Sequence, residues 1–179
     1  MQILLQRIQY HSDQQAFKQF YQLTFFKLYR FAYTYVQSKE NAEEIVNDVF
    51  LNIWQKRDTL HTIVNIDVYL YVAVKNASLN YLRSNKQKIP LSINDLNVCH
   101  LESNFNSESL LTNHELQNRL QTAIRQLPPR CRLVFQLIKQ DGLSYKEVAA
   151  ILDISIKTVD TQLYLALKKL THILHPVWA

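Results

Sequence analysis

A chain with a single glycine, Gly142, and only four prolines in 179 residues has little with which to build the tight reversals of a sheet protein. Helices joined by few turns are what such a composition allows. An apolar share of 47%, with ten Tyr and eight Phe, supplies the interior they need. The length suits one large domain or two small ones, each with its own core. An all-α protein is therefore expected. The lone glycine marks a boundary, because glycine takes the left-handed backbone that ends a helix without steric cost. Just beyond it, Ser144 and Glu147 have the S-x-x-E spacing of a capping box, with Leu143 and Val148 placed as a hydrophobic staple. A helix is predicted from Tyr145, turning Tyr145, Val148, Ala149 and Leu152 inward.

Ser155 can cap the next helix, with Ile154 and Val159 as a second staple. In that helix Val159, Leu163, Ala166, Leu167 and Leu170 share one face, while Lys157, Thr161, Tyr164 and Lys168 share the opposite one. An apolar back and a front of hydroxyls and lysines suit insertion into a DNA major groove. An ordinary amphipathic hairpin in a helical protein also fits this segment, so the rest of the chain has to decide.

Charge favours a nucleic-acid partner for the C-terminal part. The net charge is +5. Residues 112–179 hold nine basic against five acidic residues, residues 1–83 nine against seven, and residues 84–111 two against three. A modest excess can equally serve solubility. No apolar run approaches membrane-spanning length, and MQILLQRIQYHSDQQ lacks the apolar stretch of a secretory signal, so a cytoplasmic protein is expected. Cys99 and Cys131 cannot make a four-ligand metal site by themselves, and the six His show no ligand spacing beside them. Both are read as reduced thiols. No nucleophile–base pair or phosphate-binding glycine loop stands out, so neither an enzyme nor a cofactor, metal or small-molecule substrate is expected.

From the N-terminus, Ala16, Phe17, Phe20, Tyr21, Leu28, Phe31, Ala32 and Tyr35 predict a long helix to about Gln37, with a break near Thr24 entertained. Ser38 can cap the next, whose first turns carry Glu40, Glu43 and Glu44. Its buried stripe is Ala42, Ile45, Val46, Val49, Phe50 and Ile53. Glu44, Asn47, Asp48, Leu51 and Gln55 remain outside. That strip fits a solvated face, or a docking surface on which Leu51 supplies burial and the acids supply steering. Residues 55–67 read as a loop, and a third helix is predicted over 68–84. There Tyr69, Leu70, Ala73, Leu79 and Leu82 mix with Lys75, Asn76, Asn80 and Arg83, a mixture found on base-stacking surfaces and on core helices alike. Residues 84–111, around Pro90, lose the helical period and read as a linker. The period returns at Thr112, which pairs with Glu115 as S/T-x-x-E, and Leu116, Leu120, Ala123, Ile124 and Leu127 form the stripe. Pro128 and Pro129 start another helix, with Cys131, Val134, Phe135 and Ile138 inward.

With these segments in place, the chain resembles a sigma-70 family RNA polymerase sigma factor of the extracytoplasmic-function (ECF) group. The match runs over nearly its whole length. NAEEIVNDVFLNIWQ resembles the region 2 helix that binds the polymerase β′ subunit, with Asn47 and Asp48 at the family's Gln-Glu or Gln-Asp pair. VYLYVAVKNASLNYLR resembles the helix that faces the −10 element, and LPPRCRLVFQLIKQDGLSYKEVAAILDISIKTVDTQLYLALKKL resembles region 4, which reads the −35 element. The resemblance implies two small helical domains, region 2-like over 1–85 and region 4-like over 112–179, joined by a flexible linker over 86–111. It implies core polymerase contacts, to β′ and β, through Glu44, Asn47, Asp48, Leu51 and Gln55. It implies −10 capture by His61, Asn65, Tyr69, Lys75, Asn76, Asn80 and Arg83, and −35 binding by Lys146, Lys157, Thr158, Asp160, Thr161, Tyr164 and Lys168. Promoter DNA and core RNA polymerase are the implied partners, and a membrane-bound anti-sigma factor is a further one.

Two positions depart from the family pattern. Asp153 stands in the turn where relatives often have Gly, and Asp tolerates the left-handed region. Asp160 stands where many carry Arg, and an acid there repels phosphate or accepts from a cytosine amino group, so the usual −35 sequence does not carry over. A stand-alone helix-turn-helix repressor or activator is the competing class.

Overall fold

The structure, a computed structural model, describes residues 1–86 and 111–174, and the side chains of all of these but 111–117. Among the described residues every regular element is helical. The chain divides into two compact units, Met1–Ile89 and Pro90–Ala179.

In the first unit α1 (Gln2–His11), α2 (Gln14–Val36) and α3 (Lys39–Gln55) are followed by a 3₁₀ segment (Arg57–Thr62) and α4 (Ile66–Ser84). The central α2 packs against α1, α3 and α4. It begins where Asp13 Oδ1 accepts from the backbone N–H groups of Gln15 (2.9 Å) and Ala16 (3.0 Å), a cap that leaves fewer orphan donors in the first turn. These hydrogen bonds and Arg7, at 2.7 Å, hold the Asp13 carboxyl below its usual range. The break entertained at Thr24 does not occur. Its buried hydroxyl donates to the Phe20 carbonyl at 2.7 Å, so the polar group is satisfied within an unbroken helix. Helix α3 follows the reading closely: Ser38 caps it by accepting from the Asn41 N–H, and the six expected apolar residues are all buried.

Elsewhere in this unit the expectation needs correction. Helix α1 was not foreseen: half of its ten residues are apolar, but they do not keep to one face, Ile3 and Tyr10 being exposed, Leu4 and Leu5 half-buried and Ile8 alone among them fully buried. The segment 55–67 is not a loop throughout. Gln55 closes α3, a 3₁₀ turn buries Leu60, and Asn65 caps α4 by accepting from the Val68 N–H, so that helix starts at Ile66. Its buried side is Leu70, Tyr71, Val74, Ser78 and Leu82.

The second unit holds α5 (Leu111–Arg125), α6 (Pro129–Phe135) running into a π-helical segment (Gln136–Gln140), α7 (Tyr145–Leu152) and α8 (Ile156–Leu174). Helix α8 packs against α5, α6 and α7. Thr112 lies inside α5, and Leu120 is partly exposed while Ala123, Ile124 and Leu127 are buried. The π segment widens the turn before Gly142 and shifts the register, so Leu137 is buried where Ile138 was expected. Gly142 has φ +75° with nothing within 4 Å of where a Cβ would stand, so backbone conformation and not crowding calls for glycine. The capping box forms in both directions: the Ser144 N–H donates to Glu147 Oε2 (2.6 Å), and the Glu147 N–H to Ser144 Oγ (3.3 Å). Ile151, not Tyr145, completes the buried side of α7. Asp153 has φ 57° and ψ 51°, the left-handed turn between α7 and α8. The linker expected over 86–111 falls mainly outside the described residues, as does Cys99.

Candidate functional site

Three groups of residues present chemistry outward, and each owes its exposure to the apolar stripe behind it. On α3, Glu44, Asn47, Asp48, Leu51 and Gln55 are all exposed, and Leu51 keeps 54% of its surface open to water. An isolated exposed Leu needs no explanation. This one borders a groove of about 390 Å³ between α2 and α3, lined by Gln14, Phe17, Tyr21, Asn47, Phe50, Leu51 and Trp54. Two of its four aromatics, Phe17 and Tyr21, lie on α2, where the sequence counted them in the buried stripe; the structure leaves both half-buried at the groove. Its signal is a row on α2 at four-residue spacing: Phe17, Tyr21, Phe25 and Tyr29 stand beside the core stripe. Tyr21 and Phe25 stack at 4.9 Å, Phe25 and Tyr29 at 5.7 Å, and Phe17 lies 4.9 Å from Trp54. Tyr21 Oη donates to Asn47 Oδ1 at 2.9 Å, tying the row to the strip. Burial first, and then Glu43, raises the pKa of Tyr21 and of Tyr29.

The second group leads into and along α4. Tyr69 (41% exposed), Asn76, Asn80 and Arg83 recur at spacings of seven, four and three, one face of a helix, while Lys75 is half-buried to its side. Arg83 Nη1 donates to Asn80 Oδ1 at 3.2 Å. Asn65 is exposed, but its side-chain oxygen already caps α4. His61 Nδ1 lies 2.7 Å from Gln9 Nε2, and Gln9 also donates to the Asp58 carbonyl at 3.2 Å. The unforeseen α1 thus anchors the segment that carries His61.

The third group is on α7 and α8. Lys157, Asp160, Thr161, Tyr164 and Lys168 are exposed along one side of α8, and Lys146 is exposed on α7. Val159, Leu163, Ala166 and Leu170 are buried behind them; Leu167, expected with these, is 41% exposed because it falls at the edge of the stripe. Ser155 caps α8, its Oγ accepting from the Thr158 N–H at 3.0 Å and lying 2.8 Å from the Thr158 hydroxyl. Thr161 gives its only hydroxyl proton to the Lys157 carbonyl at 2.9 Å, leaving its oxygen as an acceptor and its methyl for apolar contact. Tyr164, Leu167, Lys168, Thr171 and His172 border a shallow depression of about 530 Å³. Buried Cys131 donates from Sγ to Gln162 Oε1 at 3.2 Å, linking α6 to α8. Among the described residues no three His, Cys, Asp or Glu group as metal ligands, and no helix is long and apolar enough to cross a membrane.

Comparison with known proteins bears on the whole chain. Residues 20–88 match the family model described as sigma-70 region 2, and residues 117–170 match sigma-70, region 4. The chain is 27% identical to the ECF RNA polymerase sigma-E factor of Escherichia coli (strain K12), over 98% of this chain and 95% of that one. It is 26% identical to the ECF RNA polymerase sigma factor SigW of Bacillus subtilis (strain 168), over 85% of each. In fold it is similar to CnrH, solved with the cytosolic domain of CnrY, at a TM-score of 0.55 with 19% identity, covering 97% of this chain and 96% of that one. It is likewise similar to RpoE of Bartonella quintana, solved with the anti-sigma factor NepR, at 0.55 with 24% identity, covering 89% and 96%. Two regions of one family, in order and together spanning more than half of the chain, place it: the chain belongs to the sigma-70 family, as a sigma factor of the ECF group.

Proposed function

We propose that this sigma factor works in the cytoplasm by adhesion alone, with residues 1–85 docking on core RNA polymerase and binding the −10 element, and residues 112–179 binding the −35 element. Residues 86–111 join the two. The observation that carries this reading is the exposed strip Glu44–Asn47–Asp48–Leu51–Gln55 on a helix whose other face is entirely core. Its carboxylates steer toward a basic partner surface, and Leu51 with the adjoining groove gives burial once the partner arrives. At the −10 element, Tyr69 offers an exposed ring for an unstacked base, with Asn76 and Asn80 beside it for base edges and Lys75 and Arg83 for phosphates. His61 and Asn65 frame the approach. Unstacking a base costs a few kcal/mol, which stacking and hydrogen bonds in a pocket offset.

On α8, Lys157, Thr158, Asp160, Thr161 and Tyr164 face base edges, and Lys146 and Lys168 hold phosphates, positioning without specifying. A Lys168→Ala variant is expected to weaken holoenzyme binding about equally on every promoter, lowering the slope of log affinity against log salt by about one. Titrating salt against two promoters of different sequence checks this.

CnrH and RpoE were each solved with a partner, named for RpoE as an anti-sigma factor. We extend that to this chain: a membrane-bound anti-sigma factor covers the docking strip until a signal releases it. The deciding experiment mixes the purified protein with core polymerase and a promoter mapped from transcript starts after overexpression. A sigma factor yields run-off transcript. A stand-alone repressor or activator binds the duplex without core enzyme and yields none.

A further inference from the structure

We propose that Tyr21 is a positioning residue for polymerase docking: its hydroxyl holds the Asn47 amide so that the nitrogen faces outward, making this point of the strip a hydrogen-bond donor that selects an acceptor oxygen on the polymerase. The inference rests on the reading of α3 as the docking face. It starts from the 2.9 Å bond in which Tyr21 Oη donates to Asn47 Oδ1. An asparagine side chain carries one acceptor and one donor group on a torsion with broad minima, so an untethered Asn47 would show either end to a partner. With its oxygen engaged, only the NH₂ group is left to point away from Tyr21. The neighbouring carboxylates Glu43, Glu44 and Asp48 can only accept. A donor among acceptors gives the partner's hydrogen-bonding pattern a fixed register.

Tyr21 is held well enough to perform this role. Its ring stacks on Phe25 at 4.9 Å with 27° between planes, and lies 4.7 Å from Phe50. Confined on two sides, the ring leaves its hydroxyl little lateral freedom. A phenol is protonated near neutral pH and is a donor there; burial first, and then Glu43, raise its pKa further. Both residues line the groove beside Leu51, so the tether lies inside the surface a partner would cover.

The test measures affinity of the full-length protein for its core RNA polymerase in Tyr21→Phe, Asn47→Ala, the double variant, Asn47→Asp and Asp48→Arg. Tyr21→Phe keeps the ring and removes only the hydroxyl; it is expected to weaken binding roughly five- to ten-fold, the range of one hydrogen bond. In the Asn47→Ala background the same change should cost nothing further, because there is no amide left to orient. Asn47→Asp keeps an acceptor for Tyr21 but replaces the outward NH₂ with oxygen, and should bind no better than Asn47→Ala. Wild-type affinity in Tyr21→Phe, with Asp48→Arg still inactive, overturns the role of Tyr21 and leaves the docking face standing. An equal loss in both Asn47 backgrounds also overturns it, since Tyr21 would then act through packing. Normal binding by Asp48→Arg removes the docking face and this inference with it.

Discussion

Replacing Asp48 by arginine is expected to weaken binding to core RNA polymerase by roughly 100-fold or more, since breaking one partner of a desolvated charge pair costs about 2–5 kcal/mol and each 1.4 kcal/mol is tenfold. Reversal goes beyond removal, because it sets a cation against the basic surface that the acidic strip would attract. The fold should be indifferent. Asp48 is exposed in the middle of α3, the Asn52 amide donates to its backbone carbonyl at 2.8 Å, and arginine is a good helix former that keeps that carbonyl. An exposed substitution of this kind stays within about 0.5 kcal/mol, so the unfolding midpoint should move by no more than about 4 °C. Affinity from fluorescence titration and the midpoint from circular dichroism together decide it. Undiminished affinity would remove α3 as the docking face, whatever the midpoint does.

What could be read from the sequence were the features that one helix carries by itself. The α3 stripe, the capping box at Ser144 and Glu147, the Ser155 cap and the left-handed turn at Asp153 each depend on residues within a few positions of one another. Helix α1 escaped because its value is tertiary: it packs against α2 and the 3₁₀ segment, Ile8 is fully buried, and Gln9 finds its partners at Asp58 and His61 some fifty residues away. The π segment escaped because periodicity assumes a constant turn, and one widened turn moves burial from Ile138 to Leu137. The groove beside Leu51 escaped for the reason α1 did. Three of its seven lining residues, Gln14, Phe17 and Tyr21, come from α2, and no pattern within α3 discloses what stands opposite.

Truncating Phe50 to alanine tests how far the docking strip depends on the core beneath it. Phe50 is 2% exposed and meets Phe17 edge-on at 6.2 Å, Phe20 edge-on at 5.8 Å and Tyr21 at 4.7 Å. Phe→Ala in such a site costs about 3–5 kcal/mol, a large part of the roughly 5–15 kcal/mol that holds a domain together. At about 4–8 °C per kcal/mol for a unit of this size, its unfolding midpoint should fall by roughly 12 °C or more. The second unit has its own core in Ala123, Ile124, Leu127, Val134, Val148, Ile151, Val159 and Leu163, so its helical signal should persist through that transition. Calorimetry and far-ultraviolet circular dichroism read both effects. A single unchanged transition would mean that Phe50 is not the keystone of its unit. Because the same ring closes the groove floor and braces Tyr21, polymerase affinity should fall in Phe50→Ala even well below the midpoint, where Asp48→Arg loses affinity with the core intact. The two variants therefore separate a docking face that is chemically wrong from one that is merely unsupported.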